Sequence, residues 1–256
     1  MNRLLLGLAC GALLAGCGGG AGTPTGPSAS GAGAGTPRLS LTRFLAFGDS
    51  LTLGEVTAPL NGTGPETPIG QLPLVSGRMI IVPSAAYPGL LQAQLASRYV
   101  AQSGSIIVIN EGKSGEHAHE GVPRFAEAYL AARPEVVLLW EGANSLHLYG
   151  TDLPTDALTV MTVDARTRGS RVFIANLPPT RLGFRNSQPL VELLSINTKI
   201  AAMATAQGAV LVNIYDAMLP EADTLIGSDG LHPTEAGYRR IADIFFAAIR
   251  GELEVR

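Results

Sequence analysis

The segment RFLAFGDSLT (43–52) joins an apolar run to a Gly-Asp-Ser turn. The apolar residues from 39 to 45 predict the first strand of a domain, and the polar residues come where that strand ends. Gly, Asp and Ser are also common turn formers. Ser50 is therefore either a nucleophile at the end of a strand or a polar turn residue, and the remainder of the chain has to distinguish these two interpretations.

Short runs of β-branched and other apolar residues alternate with longer Ala- and Leu-rich stretches along the chain. The predicted strands cover residues 43–48, 105–110, 135–142, 171–176 and 209–215. The predicted helices cover residues 85–102, 118–132, 155–168, 189–207 and 233–250, and the last begins at Pro233, a favoured first helical residue. Near-continuous apolar runs are typical of parallel strands that are covered on both faces. The pattern predicts a three-layer α/β/α sandwich with a five-stranded parallel sheet.

Polar or glycine-rich segments follow four of the predicted strands. They read GDSL (48–51), NEGKSG (110–115), EGANS (141–145) and SDGLHP (228–233), and the last of them precedes the final predicted helix. In parallel sheets, ligands gather at the carboxyl ends of the strands. We therefore expect a serine, a glycine, an asparagine and an Asp/His pair at one rim of the sheet.

This set of residue types is suited to nucleophilic catalysis. A serine hydroxyl needs a base within hydrogen-bonding reach, and His232 is the candidate because Asp229 precedes it by three residues. The carboxylate can then take the proton of one ring nitrogen while the other nitrogen deprotonates Ser50. Asp-x-x-His also occurs by chance in surface loops, but its position before the terminal helix supports the triad Ser50, His232 and Asp229.

Acyl transfer also needs hydrogen-bond donors at the oxygen that becomes negatively charged. The candidates are the N–H groups of Ser50 and Gly115 and the side-chain amide of Asn144. A glycine lets a substrate approach the backbone closely. The alternative is a plain turn glycine at 115 and, at 144, a loop asparagine that bonds its own backbone.

These segments resemble, in the same order, four sequence blocks of the SGNH hydrolases, the GDSL-type esterase/lipase family. The resemblance covers residues 43–256 and rests on GDSL (48–51), NEGKSG (110–115), GANS (142–145) and DGLHPTEAGY (229–238). It implies a flavodoxin-like α/β/α fold, a nucleophilic serine at position 50, and hydrolysis of esters or thioesters through an acyl-serine without metal or other cofactor.

Two features of the matching blocks need an interpretation. The family commonly has Asp after the block-three Asn, and this chain has Ser145. We interpret the change as one in loop support or substrate contacts, since Asn144 itself is present. The serine also lacks a Gly-x-Ser-x-Gly frame, because position 52 is Thr, which argues against the strand-to-helix elbow of the α/β-hydrolases.

The N-terminal segment MNRLLLGLACGALLAGC (1–17) has one positive charge followed by an apolar stretch too short to span a bilayer. LAGC (14–17) resembles a bacterial lipobox, so we predict a signal peptide at 1–16 and lipid on Cys17; the alternative is an ordinary signal with an incidental cysteine. The uncharged, Gly-rich residues 17–37 predict a flexible tether. One domain then remains at 38–256.

Composition excludes several kinds of site. The only cysteines, Cys10 and Cys17, lie before the predicted domain, which excludes disulfides, thiolate metal sites and a cysteine nucleophile there. The net charge is −3 and no basic run occurs, so we expect no nucleic-acid partner. We expect a monomer whose partners are a small-molecule or lipid ester substrate and a membrane that holds its lipid.

Other residues give weaker signals. GEHAHE (115–120) offers two histidines and two glutamates but no third ligand at a recognisable spacing, so we predict an exposed helix start and no metal. We expect His117, Leu146 and His147 near the substrate. The Pro- and Gly-rich residues 55–84 predict a long loop, either a substrate lid or a cover over the sheet edge.

Four further residues have predicted structural roles. We expect Trp140 in the core and Glu141 at the rim, bonded to nearby backbone, and we expect Asp216 and Asp223 in caps or loops.

The sequence as a whole predicts a lipid-anchored, serine-dependent ester hydrolase in the cell envelope, on the periplasmic face of a membrane or on the cell surface. One alternative uses the same residues in an acetylesterase or O-acetyl-transfer enzyme that acts on envelope glycans. The low aromatic content of 5%, with one Trp, mildly disfavours a sugar-stacking surface. The other alternative is a non-catalytic binding lipoprotein, which the presence of Ser50, Asp229 and His232 disfavours.

Overall fold

A parallel sheet of five strands runs through the computed structural model, which describes residues 36–58 and 78–256. The predicted signal peptide, Cys17, the tether up to residue 35 and residues 59–77 of the predicted loop lie outside the described residues. The described strands, in chain order, are β1 (Arg38–Leu39), β2 (Arg43–Gly48), β3 (Glu55–Ala58), β4 (Arg78–Ile81), β5 (Ile107–Gly112), β6 (Val136–Trp140), β7 (Arg171–Ala175), β8 (Val210–Val212) and β9 (Glu254–Val255).

Helices connect these strands. The described α-helices are α1 (Ser50–Leu53), α2 (Tyr87–Arg98), α3 (Ala118–Ala132), α4 (Leu146–Tyr149), α5 (Asp152–Thr167), α6 (Leu190–Gln207), α7 (Ile214–Met218), α8 (Ala222–Leu225) and α9 (Glu235–Leu253). Short 3-10 turns lie at Val100–Gln102, Ala143–Ser145 and Leu219–Glu221. None of the helices in the described part of the chain is long and apolar enough to cross a membrane.

The main sheet has the strand order β5-β2-β6-β7-β8 with every pair parallel, which confirms the predicted five-stranded parallel sheet. The last strand is shorter than predicted, because Asn213 caps α7 and its side chain accepts a hydrogen bond from Asp216 N. Strand β5 lies at the edge, so Ile107 is 45% exposed rather than covered.

Helices cover both faces of the sheet, which confirms the three-layer sandwich. Helices α2 and α9 pack together on one face, while α3, α5 and α6 pack side by side on the other. Trp140 is fully buried, as predicted, and its Nε1–H donates to the carbonyl of Asn176 at 3.1 Å. On the face of the sheet that α2 and α9 cover, Tyr87 contacts the Trp140 ring edgewise. It also stacks on Phe245, with 4.8 Å between the two ring centroids.

Two further predictions differ from the structure for local reasons. Pro233 is not the first helical residue, because Thr234 caps α9 with a side-chain oxygen that accepts from Gly237 N; Pro233 instead forms a bridge with Ile226. The loop predicted at 55–84 has a strand near each end, because β3 and β4 pair there as an antiparallel ribbon.

Candidate active site

Ser50 is held at the point where β2, an interior strand of the sheet, turns into the short helix α1. Asp49 caps this helix, and its carboxylate accepts hydrogen bonds from Leu51 N at 3.0 Å and from Gly142 N and Ala143 N, both at 3.3 Å. A Cβ at Gly48 would lie 1.8 Å from the carbonyl oxygen of Trp140, so only glycine fits there. Asp49 thus ties the serine turn to the end of β6.

The three predicted triad residues meet at this rim. Ser50 Oγ lies 2.9 Å from His232 Nε2, and His232 Nδ1 lies 2.5 Å from Asp229 Oδ2. The side chains are buried, with residue exposures of 2%, 3% and 5% for Ser50, His232 and Asp229. The hydroxyl, imidazole and carboxylate therefore form one continuous hydrogen-bonded chain, the arrangement that lets a histidine act as the base for a serine.

Asp229 has four hydrogen bonds that favour its charged form. Its Oδ1 accepts from Leu231 N and His232 N, and its Oδ2 accepts from the Asn186 side chain at 2.8 Å as well as from the imidazole. Burial alone would raise the pKa of Asp229, but the bonds and charge of His232, with those from Asn186 and Leu231, hold it at about 2. The carboxylate is therefore ionised throughout the pH range in which His232 titrates.

The pKa of His232 is shifted in the opposite direction. Burial alone would lower the pKa of His232, but the hydrogen bond and charge of Asp229 and the charges of Glu55 and Asp49 raise it above its ordinary value. Since the neutral imidazole is the form that accepts the serine proton, activity should fall as the pH drops through this raised pKa.

The candidate oxyanion donors lie around the same serine. Gly115 has a φ of +72°, which favours glycine, and a Cβ added there would meet no atom within 4 Å. The N–H groups of Ser50 and Gly115 donate to no group in the part of the chain that the structure describes. One N–H of the Asn144 amide donates to the Glu116 carbonyl at 3.1 Å, which leaves its second N–H for the substrate.

Ser145 supports the loop that carries Asn144. It is fully buried, and its hydroxyl accepts a hydrogen bond from Ala118 N, the first residue of α3, at 3.0 Å. The structure therefore favours the first interpretation of this departure from the family pattern, a change in loop support, over a change in substrate contacts.

A cleft of about 400 Å³ opens beside Ser50. Its lining residues are Ser50, Ser114, Gly115, Ala143, Asn144, His147, Arg185, Asn186, Gln188, Leu231 and His232. Of the three predicted substrate contacts, only His147 lines this cleft. Leu146 lies in the core with 2% exposure, and His117 packs edgewise on Tyr149 instead.

Sequence reasoning missed three of the cleft residues. Arg185, Asn186 and Gln188 come from the connection between β7 and α6, which matches none of the recognised blocks. The one available signal was position, because RNSQ (185–188) is a polar segment that follows a predicted parallel strand.

The two histidines of GEHAHE lie close together. The His117 and His119 rings stack with their centroids 5.8 Å apart although α3 begins between them, and both rings contact Tyr149. Among residues 36–58 and 78–256, no group of three or more His, Asp and Glu side chains is arranged to hold a metal ion.

Glu141 does not bond nearby backbone, and the expectation that it would is wrong. It is 1% exposed, and neither carboxyl oxygen has a hydrogen-bond partner among the described residues. Burial raises the pKa of Glu141 well above its usual range, and the charges of Asp49 and Glu116 raise it further. Burial likewise raises the pKa of Asp49 to about 6, against the opposing effect of its backbone hydrogen bonds.

A buried Ser-His-Asp chain beside a cleft with free amide donors, at the carboxyl edge of a parallel sheet, is the arrangement typical of serine hydrolases with a three-layer α/β fold. The profile of the GDSL-like lipase/acylhydrolase family matches residues 46–240, and the chain belongs to this family. No curated protein sequence matches the chain.

Several solved structures share the fold. A lipase/acylhydrolase from Enterococcus faecalis is 21% identical with a TM-score of 0.63, covering 83% of this chain and 97% of that one. A psychrotrophic esterase from Pseudoalteromonas sp. is 21% identical with a TM-score of 0.57, covering 81% and 96%. An acetyl xylan esterase from Geobacillus stearothermophilus is 20% identical with a TM-score of 0.59, covering 84% and 97%.

Proposed function

We propose that the protein hydrolyses carboxylic esters through an acyl-serine intermediate on Ser50. The observation that carries the proposal is the hydrogen-bonded chain from Asp229 through His232 to Ser50 Oγ, whose Ser50 end lines the cleft. Family membership supports the same class of reaction.

In this proposal each group has one step. Ser50 Oγ attacks the acyl carbon while its proton passes to His232 Nε2, and Asp229 stabilises the imidazolium through the Nδ1–H. The N–H groups of Ser50 and Gly115 and the Asn144 amide stabilise the oxyanion. His232 then gives its proton to the leaving alcohol. Water attacks the acyl-serine, transfers a proton to His232 and releases the acid, and Ser50 recovers its proton.

The residues that line the cleft favour a polar substrate, which gives a second and narrower candidate function. Ser114, Asn144, His147, Arg185 and Gln188 present polar groups around Ser50. A short acyl group on a hydrophilic alcohol suits such walls better than a long aliphatic chain, because burying polar groups against hydrocarbon is costly. Acetyl esters of envelope glycans are therefore the second candidate, and the acetyl xylan esterase among the solved structures is consistent with it.

We expect p-nitrophenyl acetate to be hydrolysed faster than the butyrate, octanoate or palmitate ester by the chain from residue 18 onward. The reason is that the lining of the cleft places several polar side chains around Ser50, and a long aliphatic chain would bury them without hydrogen-bond partners. An acetylated xylo-oligosaccharide assayed by acetate release would show whether a glycan ester is a better substrate still. A folded protein that hydrolyses none of these esters would contradict the hydrolase proposal.

We propose further that the protein is a lipoprotein of the cell envelope, anchored through Cys17, on the strength of the lipobox-like LAGC (14–17). We expect Cys17→Ser to move the protein from the membrane fraction to the soluble fraction. Cys10→Ser is the matched control, because it alters the other cysteine of the same segment and should stay with the membrane. Equal membrane retention of Cys17→Ser and the unaltered protein would refute the anchor.

A further inference from the structure

A second carboxylate approaches the catalytic histidine from the opposite side to Asp229. Glu55 is the first residue of β3, and its Oε2 lies 3.8 Å from His232 Nε2, the nitrogen that faces Ser50. Glu55 is 5% exposed, and this oxygen has no hydrogen-bond partner among the described groups. A buried carboxylate oxygen without a partner is costly unless a charge nearby compensates for it.

Two elements hold Glu55 in this position. The hydroxyl of Tyr238, fully buried in α9, donates to the Glu55 carbonyl at 2.7 Å. On the other side, Glu55 pairs with Ile81 of β4 in the antiparallel ribbon. These two contacts hold the Glu55 backbone beside the imidazole.

We propose that Glu55 acts as a second counter-charge to His232, stabilising the imidazolium from the Nε2 side and setting the acidic limit of the reaction; this rests on the proposed function. The charged groups that act on His232 are Asp229 in its own loop, Asp49 at the start of α1 and Glu55 on β3. Of these, Asp229 bonds Nδ1 and Asp49 bonds backbone N–H groups, whereas Glu55 faces the nitrogen that receives the serine proton.

The size of the effect follows from the proton transfer. When Ser50 gives its proton to Nε2, the imidazole becomes positive, and a carboxylate about 4 Å away typically raises the pKa of such a group by about 1 to 3. A change of 1 in pKa corresponds to a factor of about ten in the stability of the charged form. Loss of the Glu55 charge should therefore lower the pKa of His232 and slow the plateau rate together.

The test is the pH profile of kcat/KM for Glu55→Gln in the full chain, with p-nitrophenyl acetate. We expect the acidic limb to move to lower pH by about 1, because a less basic imidazole stays neutral at lower pH. We also expect the plateau kcat to fall about tenfold, because the imidazolium formed in the reaction loses a counter-charge. Glu55→Asp, which keeps the charge on a shorter side chain, should fall between the two proteins.

Tyr238→Phe is the matched control, because it removes the hydroxyl that holds the Glu55 backbone but keeps the negative charge of Glu55. If Glu55 only supported β3, Glu55→Gln and Tyr238→Phe would both lower kcat and leave the acidic limb of the pH profile unchanged. This result would overturn the proposal. The His232 imidazole titrated by NMR in the unaltered protein and in Glu55→Gln gives a readout that needs no substrate. An unchanged titration refutes the role of Glu55, whereas absence of turnover in the unaltered protein refutes only the proposed function.

Discussion

Ser50→Ala is expected to reduce kcat by a factor on the order of 10⁶, the scale reported for removal of the nucleophile from a comparable triad. The variant retains the cleft and the free N–H donors but has no oxygen to attack the acyl carbon. His232 Nε2 loses the hydroxyl 2.9 Å away that it would deprotonate. The fold should survive, because the Ser50 hydroxyl has no other hydrogen-bond partner in the described part of the chain.

Two measurements separate a lost nucleophile from a damaged protein. An organophosphonate that reacts with activated serines should add its mass to Ser50 of the unaltered protein and not to the variant, while circular dichroism should give similar melting curves for both. Ser114→Ala is the control, since Ser114 lines the same cleft but bonds no member of the triad. Turnover by Ser50→Ala comparable to that of the Ser114 variant would remove Ser50 from the mechanism.

The main sheet could be predicted from the sequence because parallel strands are buried on both faces and so leave near-continuous apolar runs. Phe44 and Phe47 of β2 are three residues apart and therefore point to opposite faces of the sheet, yet both are fully buried. The triad could be predicted because each residue follows a strand or precedes a helix that is itself visible in the pattern. The oxyanion candidates followed from the same strand-end positions, and the resemblance to a known family supported them.

The roles of other residues could not be predicted from the sequence, because they depend on packing between distant parts of the chain. Glu55 was assigned to a long loop, since nothing in the sequence indicates that it meets His232 across 177 positions. Asn186 was missed because its role is to hold Asp229 by two hydrogen bonds, one from its backbone N–H and one from its side chain, and it lies in a segment without hydrophobic periodicity. Glu141 follows a strand like the site residues do, and only the three-dimensional structure shows that its carboxyl is buried without a partner.

Asp229→Asn is expected to lower kcat by about 10⁴-fold, although it preserves the size of the side chain. The Oδ1 of Asp229 accepts two backbone N–H groups, from Leu231 and His232, so the carbonyl oxygen of the new amide must take that place. Its NH₂ group then faces His232 Nδ1 and the donating amide of Asn186. An amide that donates to Nδ1 leaves the proton on Nε2, and an imidazole protonated there cannot accept the proton of Ser50.

The same exchange at an unrelated acidic residue provides the control for Asp229→Asn. Asp223 in α8 has a side chain that is 95% exposed and lies 3.7 Å from the Arg181 guanidinium, so Asp223→Asn should keep full activity. If the amide fixes the wrong tautomer, NMR of the His232 ring nitrogens should show the proton on Nε2 in Asp229→Asn and on Nδ1 in the unaltered protein. A kcat within about tenfold of the unaltered enzyme would show that Asp229 is not the orienting carboxylate, because that role carries an effect of about 10⁴.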